Sequence, residues 1–109
     1  MKLWLLLLLV PLPAFGLSAA AEEFMQIAKA LEPVHCEKRK LRREIALGEV
    51  QGHDVKALKD RFAALSREPQ TAKLEKRLGR LEPRVSKSRD PEDLAAISRQ
   101  QREAYYRCE

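Results

Sequence analysis

Residues 22–48 read EEFMQIAKALEPVHCEKRKLRREIALG, and this stretch decides the fold. Mostly apolar residues recur in it at steps of three and four positions and form a stripe, because this is the period of one face of an α-helix. Because this stripe keeps its phase across Pro33, the sequence predicts one long helix, from about 22 to 51, that is kinked at the proline rather than ended by it. The stripe consists of Phe24, Ile27, Leu31, Val34, Lys38, Leu41, Ile45 and Gly48.

Gly52 suits the left-handed position at a helix end, so the first helix is predicted to end there. Three shorter helices are predicted to follow. Asp54 fits an N-cap, Pro69 fits a first turn, and Asp90-Pro91 combines both signals. No stretch alternates polar and apolar residues as a half-buried strand does. The chain is therefore expected to be all-α, one small antiparallel bundle of about four helices. The predicted helices cover 54–66, 69–82 and 90–107, residues 84–89 are predicted as a loop, and the single domain spans 22–109.

The first 21 residues have the composition of a secretory signal. Lys2 supplies a positive charge, residues 3–10 are apolar, and residues 18–21 are small. A membrane-spanning helix is disfavoured, because prolines and a glycine interrupt a stretch already short of the ~20 apolar residues that a span requires. We expect residues 1–21 to be a signal peptide cleaved after Ala20 or Ala21. The protein is then exported, to the periplasm in a bacterium and otherwise as a secreted protein.

Cys36 and Cys108 are the two cysteines of the chain. If consecutive helices alternate in direction, both lie ~22–27 Å from the end of the bundle that carries Gly52. Export favours oxidation, so an intramolecular disulfide is predicted, with an intermolecular disulfide or free thiols as alternatives. Cys36 lies on the opposite side of its helix from the main stripe, alongside Leu47 and Val50. The first helix is therefore expected to bury two sides.

The densest run of charge is residues 38–43, KRKLRR. Its cations cover a broad helix face, which fits either a solvated surface or contact with a lipid headgroup, an envelope polysaccharide or an acidic protein. The predicted contact residues are Lys38, Arg39, Arg42 and Arg43. Nucleic acid is not expected as a partner, because export removes most of it from reach and no aromatic residues interleave with the cations for base stacking.

No residue pattern indicates catalysis, a cofactor or a metal. Ser-His-Asp, phosphate-loop and His-Glu-x-x-His patterns are not recognised in the sequence. His35 and Cys36 are adjacent and point ~100° apart on a helix, so they do not easily share an ion. A small bundle also lacks the concave pocket of most enzymes. We therefore expect a protein that is not an enzyme and binds no cofactor or metal.

Residues 22–33 carry a further expectation about partners. In the predicted register nothing covers Phe24, Ile27 and Leu31, so these residues are interpreted as an amphipathic arm that docks on a partner protein or on a second copy of the chain. The alternative is that the helix breaks at Pro33 and the segment folds back onto the bundle.

Two family resemblances bear on the bundle. Met25, together with residues 102–106 (REAYY), resembles the ends of periplasmic four-helix cytochromes of the b type, which bind haem through a methionine and a histidine at these places. Tyr106 stands where that histidine would be, so the resemblance implies a bundle without haem. The chain also resembles a family of small periplasmic helical proteins of unknown function, at Cys36, Lys38, Glu44-Ile45, Gly52 and Ala57-Leu58.

Together these features predict a non-catalytic exported protein with a structural or protein-interaction role in the cell envelope. The alternatives are a periplasmic chaperone- or inhibitor-like binder and a haem-less relative of the b-type carriers. No transmembrane segment is expected after the signal is cleaved.

Overall fold

The computed structural model of the chain describes residues 16–108. These residues form four α-helices and no strand, so the predicted all-α class is confirmed. The helices are α1 (Ala19–Val50), α2 (Lys56–Arg67), α3 (Pro69–Ser88) and α4 (Pro91–Arg107). Within the same residues, no helix combines the length and apolarity needed to cross a bilayer. Residues 1–15 of the predicted signal segment lie outside the described residues.

α1 is a continuous helix of 32 residues that begins earlier than the sequence predicted. Its N-cap is Ser18, whose Oγ accepts a hydrogen bond from the amide of Ala21 at 3.1 Å. The helix runs through Pro33 without ending, although proline has no amide to donate to the preceding turn. It ends at the turn around Gly52, whose φ of 74° is in the left-handed region that favours glycine.

α3 is longer than predicted, because it continues through Pro83 to Ser88. The predicted end at residue 82 and the predicted loop at 84–89 are therefore wrong. Val85 lies four residues after Leu81, and both are buried in the core. Packing of Val85 holds the added turn in place despite the missing amide of the proline. The helix ends at Arg89, which has a φ of 55°.

α2 and α3 run in the same direction, and both are antiparallel to α1. Ion pairs join Glu49 to Lys59, Lys38 to Glu75, and Glu23 to Arg77. The position in α1 thus falls from 49 to 23 while the partner position rises from 59 to 77. The chain bends between α2 and α3 at Glu68, whose ψ is 127°, but it does not reverse. The predicted alternation of all four helices is therefore wrong at this junction.

α4 returns along α1 in a parallel orientation with a constant register. Ser18 contacts Asp93, the Met25 carbonyl accepts from Gln100, and Arg107 forms two hydrogen bonds with Glu32. Each of these three pairs is separated by 75 residues, and successive pairs lie seven residues apart. Seven residues are two helical turns, so these three polar contacts lie in a row along one face of α1.

The disulfide Cys36–Cys108 closes this register and confirms the predicted pairing. The Cα atoms of the two cysteines are 5.4 Å apart. Cys36 and Cys108 each lie 17 residues after the first residue of their helix, Ala19 and Pro91. The cysteines are thus level because α1 and α4 start at the same end of the molecule. In the predicted register both cysteines are instead equally far from the Gly52 end, but α4 does not begin at that end.

The apolar core lies in the half of the molecule where α1, α3 and α4 meet. Phe24, Ile27 and Leu31, the three residues predicted to form a docking arm, are buried there. Segment 22–33 neither overhangs nor folds back, because the long α3 and the parallel α4 cover it. The buried side chains of Phe24, Ile27 and Leu31 are therefore not available to a partner in this fold. The core consists of Ala21, Phe24, Ile27, Leu31, Leu81, Val85 and Ile97.

The other half of the molecule is a two-helix hairpin, residues 37–67, which we call the prong. It contains the last part of α1, the turn around Gly52, and α2. Its two helices approach closely at Gly48, where a Cβ atom would lie 2.6 Å from Val55 Cγ1. α4 ends level with Cys36, so the prong has two helices where the core half has three.

Candidate functional site

The predicted anionic-contact residues separate into two groups. Lys38 is 6 % exposed, and its Nζ donates to Glu75 Oε1 at 3.1 Å and lies 5.3 Å from the centre of the Phe62 ring. Because this ammonium is buried and paired, it joins α1 to α2 and α3 and is not part of an anion-binding surface. The expectation for Lys38 is therefore wrong.

Arg39 and Arg42 are held against aromatic rings on two sides of α1. The Arg39 guanidinium lies 4.8 Å from the centre of the Tyr105 ring of α4, and that of Arg42 lies 5.3 Å from the Phe62 ring of α2. Such stacking orients a guanidinium without neutralising it. Within residues 16–108, no carboxylate lies within 4.0 Å of Arg39, Arg42 or Arg43.

His35 lies beside this group and is best described as a neutral imidazole. Burial lowers its pKa, and the Glu75 carboxylate, which raises the pKa, does not outweigh burial. Lys38 and the nearby arginines lower the pKa further. The 3.9 Å contact between His35 Nε2 and Glu75 is therefore not an ion pair near neutral pH. Glu75 binds Lys38 instead.

The net charge of the described residues is concentrated in the prong. Residues 37–67 contain nine basic and five acidic residues, whereas residues 16–36 and 68–108 together contain eleven basic and ten acidic residues. The core half is therefore almost neutral and the prong carries a net charge of +4. An anionic partner is attracted to this half of the molecule.

The face of α1 that holds α4 continues along the prong without a covering helix. Past Cys36 it consists of Lys40, Arg43, Leu47 and Val50, all within about 40° of Cys36 around a helix of 3.6 residues per turn. We call these four residues the open seam. Leu47 is 58 % exposed and Val50 is 85 % exposed. No residue in the described part of the chain packs over the seam, because α4 ends at Arg107.

The sequence predicted this second side of α1 but not what covers it. It placed Cys36, Leu47 and Val50 on one side of the helix, and the structure shows that α4 occupies only the first half of that side. Ser18, Asp93 and Gln100, which position α4, were not predicted. The sequence does contain a related pattern, because Ser18 and Met25 of one helix, like Asp93 and Gln100 of the other, are seven residues apart. This pattern can be recognised only once the 75-residue offset between the paired residues is known.

A cleft of about 410 Å³ opens between α1, α3 and α4 beyond Ile97. It forms because the inner face of α4 continues with Gln101 and Ala104, which are polar or small. Gln100 Nε2 donates to the Met25 carbonyl at 2.7 Å, while its Oε1 is buried and has no donor among the described residues. Phe24, Leu78 and Tyr105 are among the apolar residues that line the cleft.

Met25 and Tyr106, which carried the cytochrome resemblance, do not face each other. Met25 lies level with Gln100, six residues before Tyr106, a distance of about 9 Å along α4. Tyr106 is exposed, and Met25 is half-buried against the core. Residues 16–108 also contain no group of three His, Cys, Asp or Glu side chains arranged to hold a metal ion.

Comparison of the chain with models of protein families, with curated proteins and with solved structures gave no match.

Proposed function

We propose that this protein is a non-catalytic, exported binding protein whose open seam holds an acidic amphipathic helix of a partner protein. The observation that carries the proposal is the continuation of the α4-binding face of α1 past Cys36. There, Lys40 and Arg43, which have no carboxylate within 4.0 Å among residues 16–108, are followed by two exposed apolar residues, Leu47 and Val50. A helix in this position extends the line of α4 by about four turns.

A helical partner fits the seam better than a flat anionic surface does. The four seam residues follow one another at steps of three and four, the spacing at which two helices pack together. The exposed leucine and valine favour an apolar counterpart rather than a polysaccharide. Acidic residues on the partner helix complement Lys40 and Arg43, and the positive prong accelerates the encounter.

Export is the second part of the proposal. The disulfide between α1 and α4 supports an oxidising compartment, because such bonds are rare where thiols are kept reduced. The charged, apolar and small parts of residues 1–21 support a secretory signal. A chaperone- or inhibitor-like role uses the same surface, and the captured segment distinguishes them: an unfolded client in the first case and a folded enzyme in the second.

Site-specific photo-crosslinking tests the seam. A photoreactive residue at position 47 is expected to crosslink to a partner segment that is acidic and helical, as mapped by mass spectrometry. The same group at Arg80, exposed on α3, is the matched control. Crosslinks of equal yield and identity at both positions, or crosslinks to lipid alone, contradict the proposal.

Charge reversal tests the electrostatic part. Lys40→Glu with Arg43→Glu is expected to weaken crosslinking at position 47 at least tenfold. Lys73→Glu with Lys76→Glu makes the same charge change on exposed residues of α3 and is expected to have little effect. Neither double variant touches the core, so both are expected to melt like the parent protein.

A further inference from the structure

The residues immediately before α1 are part of the folded protein. Ser18 forms two hydrogen bonds to Asp93, one from its amide to Oδ1 at 3.0 Å and one from its Oγ to Oδ2 at 2.6 Å. Its Oγ also accepts from the amide of Ala21. Leu17 packs against the core, and Ala21 is completely buried in it. The contacts of α1 with the rest of the fold therefore start at residue 17, not at residue 22.

Removal of the Ser18 hydrogen bonds is energetically costly, because their acceptor, Asp93, is buried. Its side chain is 0 % exposed, and the hydrogen bonds that its carboxylate accepts within residues 16–108 both come from Ser18. It lies in the first turn of α4, beside the N-terminus of the parallel helix α1. Loss of Ser18 leaves a buried carboxylate without a donor and α1 without its cap. Cleavage after Ala20 or Ala21, as the sequence suggested, has this result.

Signal peptides end in a triplet with small residues at its first and third positions. The sequence contains four such triplets near this point, and three of them end at residue 18, 20 or 21. Cleavage after any of these three removes Ser18. The fourth triplet is Ala14-Phe15-Gly16, which ends just before Leu17. Gly16 is exposed in a bend, so the bond that follows it lies outside the packed structure.

We infer that the export signal is cleaved between Gly16 and Leu17, so that the mature chain begins at Leu17. In this step a peptidase adds one water molecule across the peptide bond, which leaves a carboxylate on Gly16 and an amine on Leu17. The mature chain keeps the Ser18 cap, both hydrogen bonds to Asp93 and the buried Ala21. The inference rests on the proposed export of the chain, and its test separates the two.

The mass of the protein purified from the oxidising compartment of an expressing host tests the inference. The full chain, Met1 to Glu109, is expressed, and the mature product is expected to have the mass of residues 17–109. A product that begins at Ala19, Ala21 or Glu22 overturns the cleavage site but leaves export standing. A chain that keeps Met1 and is found only in the cytoplasm overturns both.

Two variants of the full chain provide the control. Gly16→Leu places a bulky side chain at the end of the proposed triplet and is expected to abolish the product that begins at Leu17. Ala20→Leu makes the same change at the end of a competing triplet and is expected to leave the start at Leu17 unchanged. If Gly16→Leu is processed like the parent chain, or if only Ala20→Leu blocks processing, the inference is wrong.

Discussion

Asp93 is a buried polar residue on which the position of α4 depends. Its carboxylate joins the start of α4 to the cap of α1, through the amide and hydroxyl of Ser18. An acid in the first turn of a helix is favoured by the helix dipole, which fits Asp93 in α4 but gives no reason for its burial. A partner 75 residues away cannot be identified from local spacing, because it depends on the direction of α4 relative to α1.

Asp93→Ala is expected to destabilise the protein by about 2–3 kcal/mol, because it leaves the Ser18 amide without its acceptor and opens a small cavity. The melting temperature then falls by roughly 10–20 °C. Asp60→Ala is the matched control, since Asp60 is exposed and pairs with Lys56 one turn away. Thermal unfolding of both variants by circular dichroism measures the difference, and equal melting contradicts the assigned role of Asp93.

His35 predicts how stability depends on pH. Its pKa in the folded protein is lowered, chiefly by burial, so the unfolded chain binds the proton more strongly. Its contribution to stability is therefore present above about pH 6.5, the ordinary pKa of histidine, and is lost as the pH falls from there through the lowered pKa. The carboxyl pKa values of Glu23 and Glu32 are also lowered, by Arg77 and Arg107, and matter only in more acidic solution.

We expect the melting temperature of the parent protein to decrease between pH 7.5 and pH 5.5, and His35→Gln to reduce this decrease. His53→Gln is the control, because His53 is exposed in the turn of the prong. Melting curves at the two pH values compare the three proteins. A decrease that is the same with and without His35 contradicts this assignment.

Among the helices, α3 differs most from its prediction. Pro83 predicts an end to this helix, because proline usually stops one. The helix continues because Val85 completes the stripe of Leu74, Leu78 and Leu81 and is buried against α1 and α4. The gain from burying Val85 depends on which helices surround it. The sequence of α3 alone therefore could not decide between the two outcomes.

Pro83→Ala is expected to stabilise the protein by about 1–2 kcal/mol. The new amide can donate to the carbonyl of Gly79, and this gain exceeds the greater freedom that alanine gives to the unfolded chain. Pro91→Ala is the matched control, because Pro91 is in the first turn of α4, where an amide has no partner within the helix. If Pro83→Ala and Pro91→Ala have the same melting temperature, Pro83 does not destabilise α3 and the prediction is wrong.

At the scale of the whole molecule, the helix class and the disulfide pair could be predicted, but the arrangement could not. The helical period and the caps determine where most helices form, and two cysteines leave few possible pairings. The direction of α3 relative to α2 depends on the backbone at Glu68, which bends without reversing. That one junction determines which end of the molecule α4 starts from, and therefore whether segment 22–33 is covered.

Cys36→Ala with Cys108→Ala is expected to lower the melting temperature by well over 10 °C. A loop of this length corresponds to about 4 kcal/mol in the chain-entropy model. α4 should be affected most, because Ile97 is its one side chain among the seven of the buried core. Hydrogen exchange is expected to rise in α4 more than in α1 or α3, and the parent protein under reducing conditions serves as the control. A uniform rise in all four helices contradicts this account.

The disulfide also gives the chain a topology that its helices do not. Residues 36–108 form a covalent ring that contains the whole prong, with α1 before Cys36 as a tail. The turn at residues 51–54 is exposed and is the natural place for a protease to cut. Such a cut opens the ring but releases no fragment, and the mass increases by that of one water molecule. A nicked molecule therefore remains a single particle, still carrying both helices of the prong, until the sulfur bond is reduced.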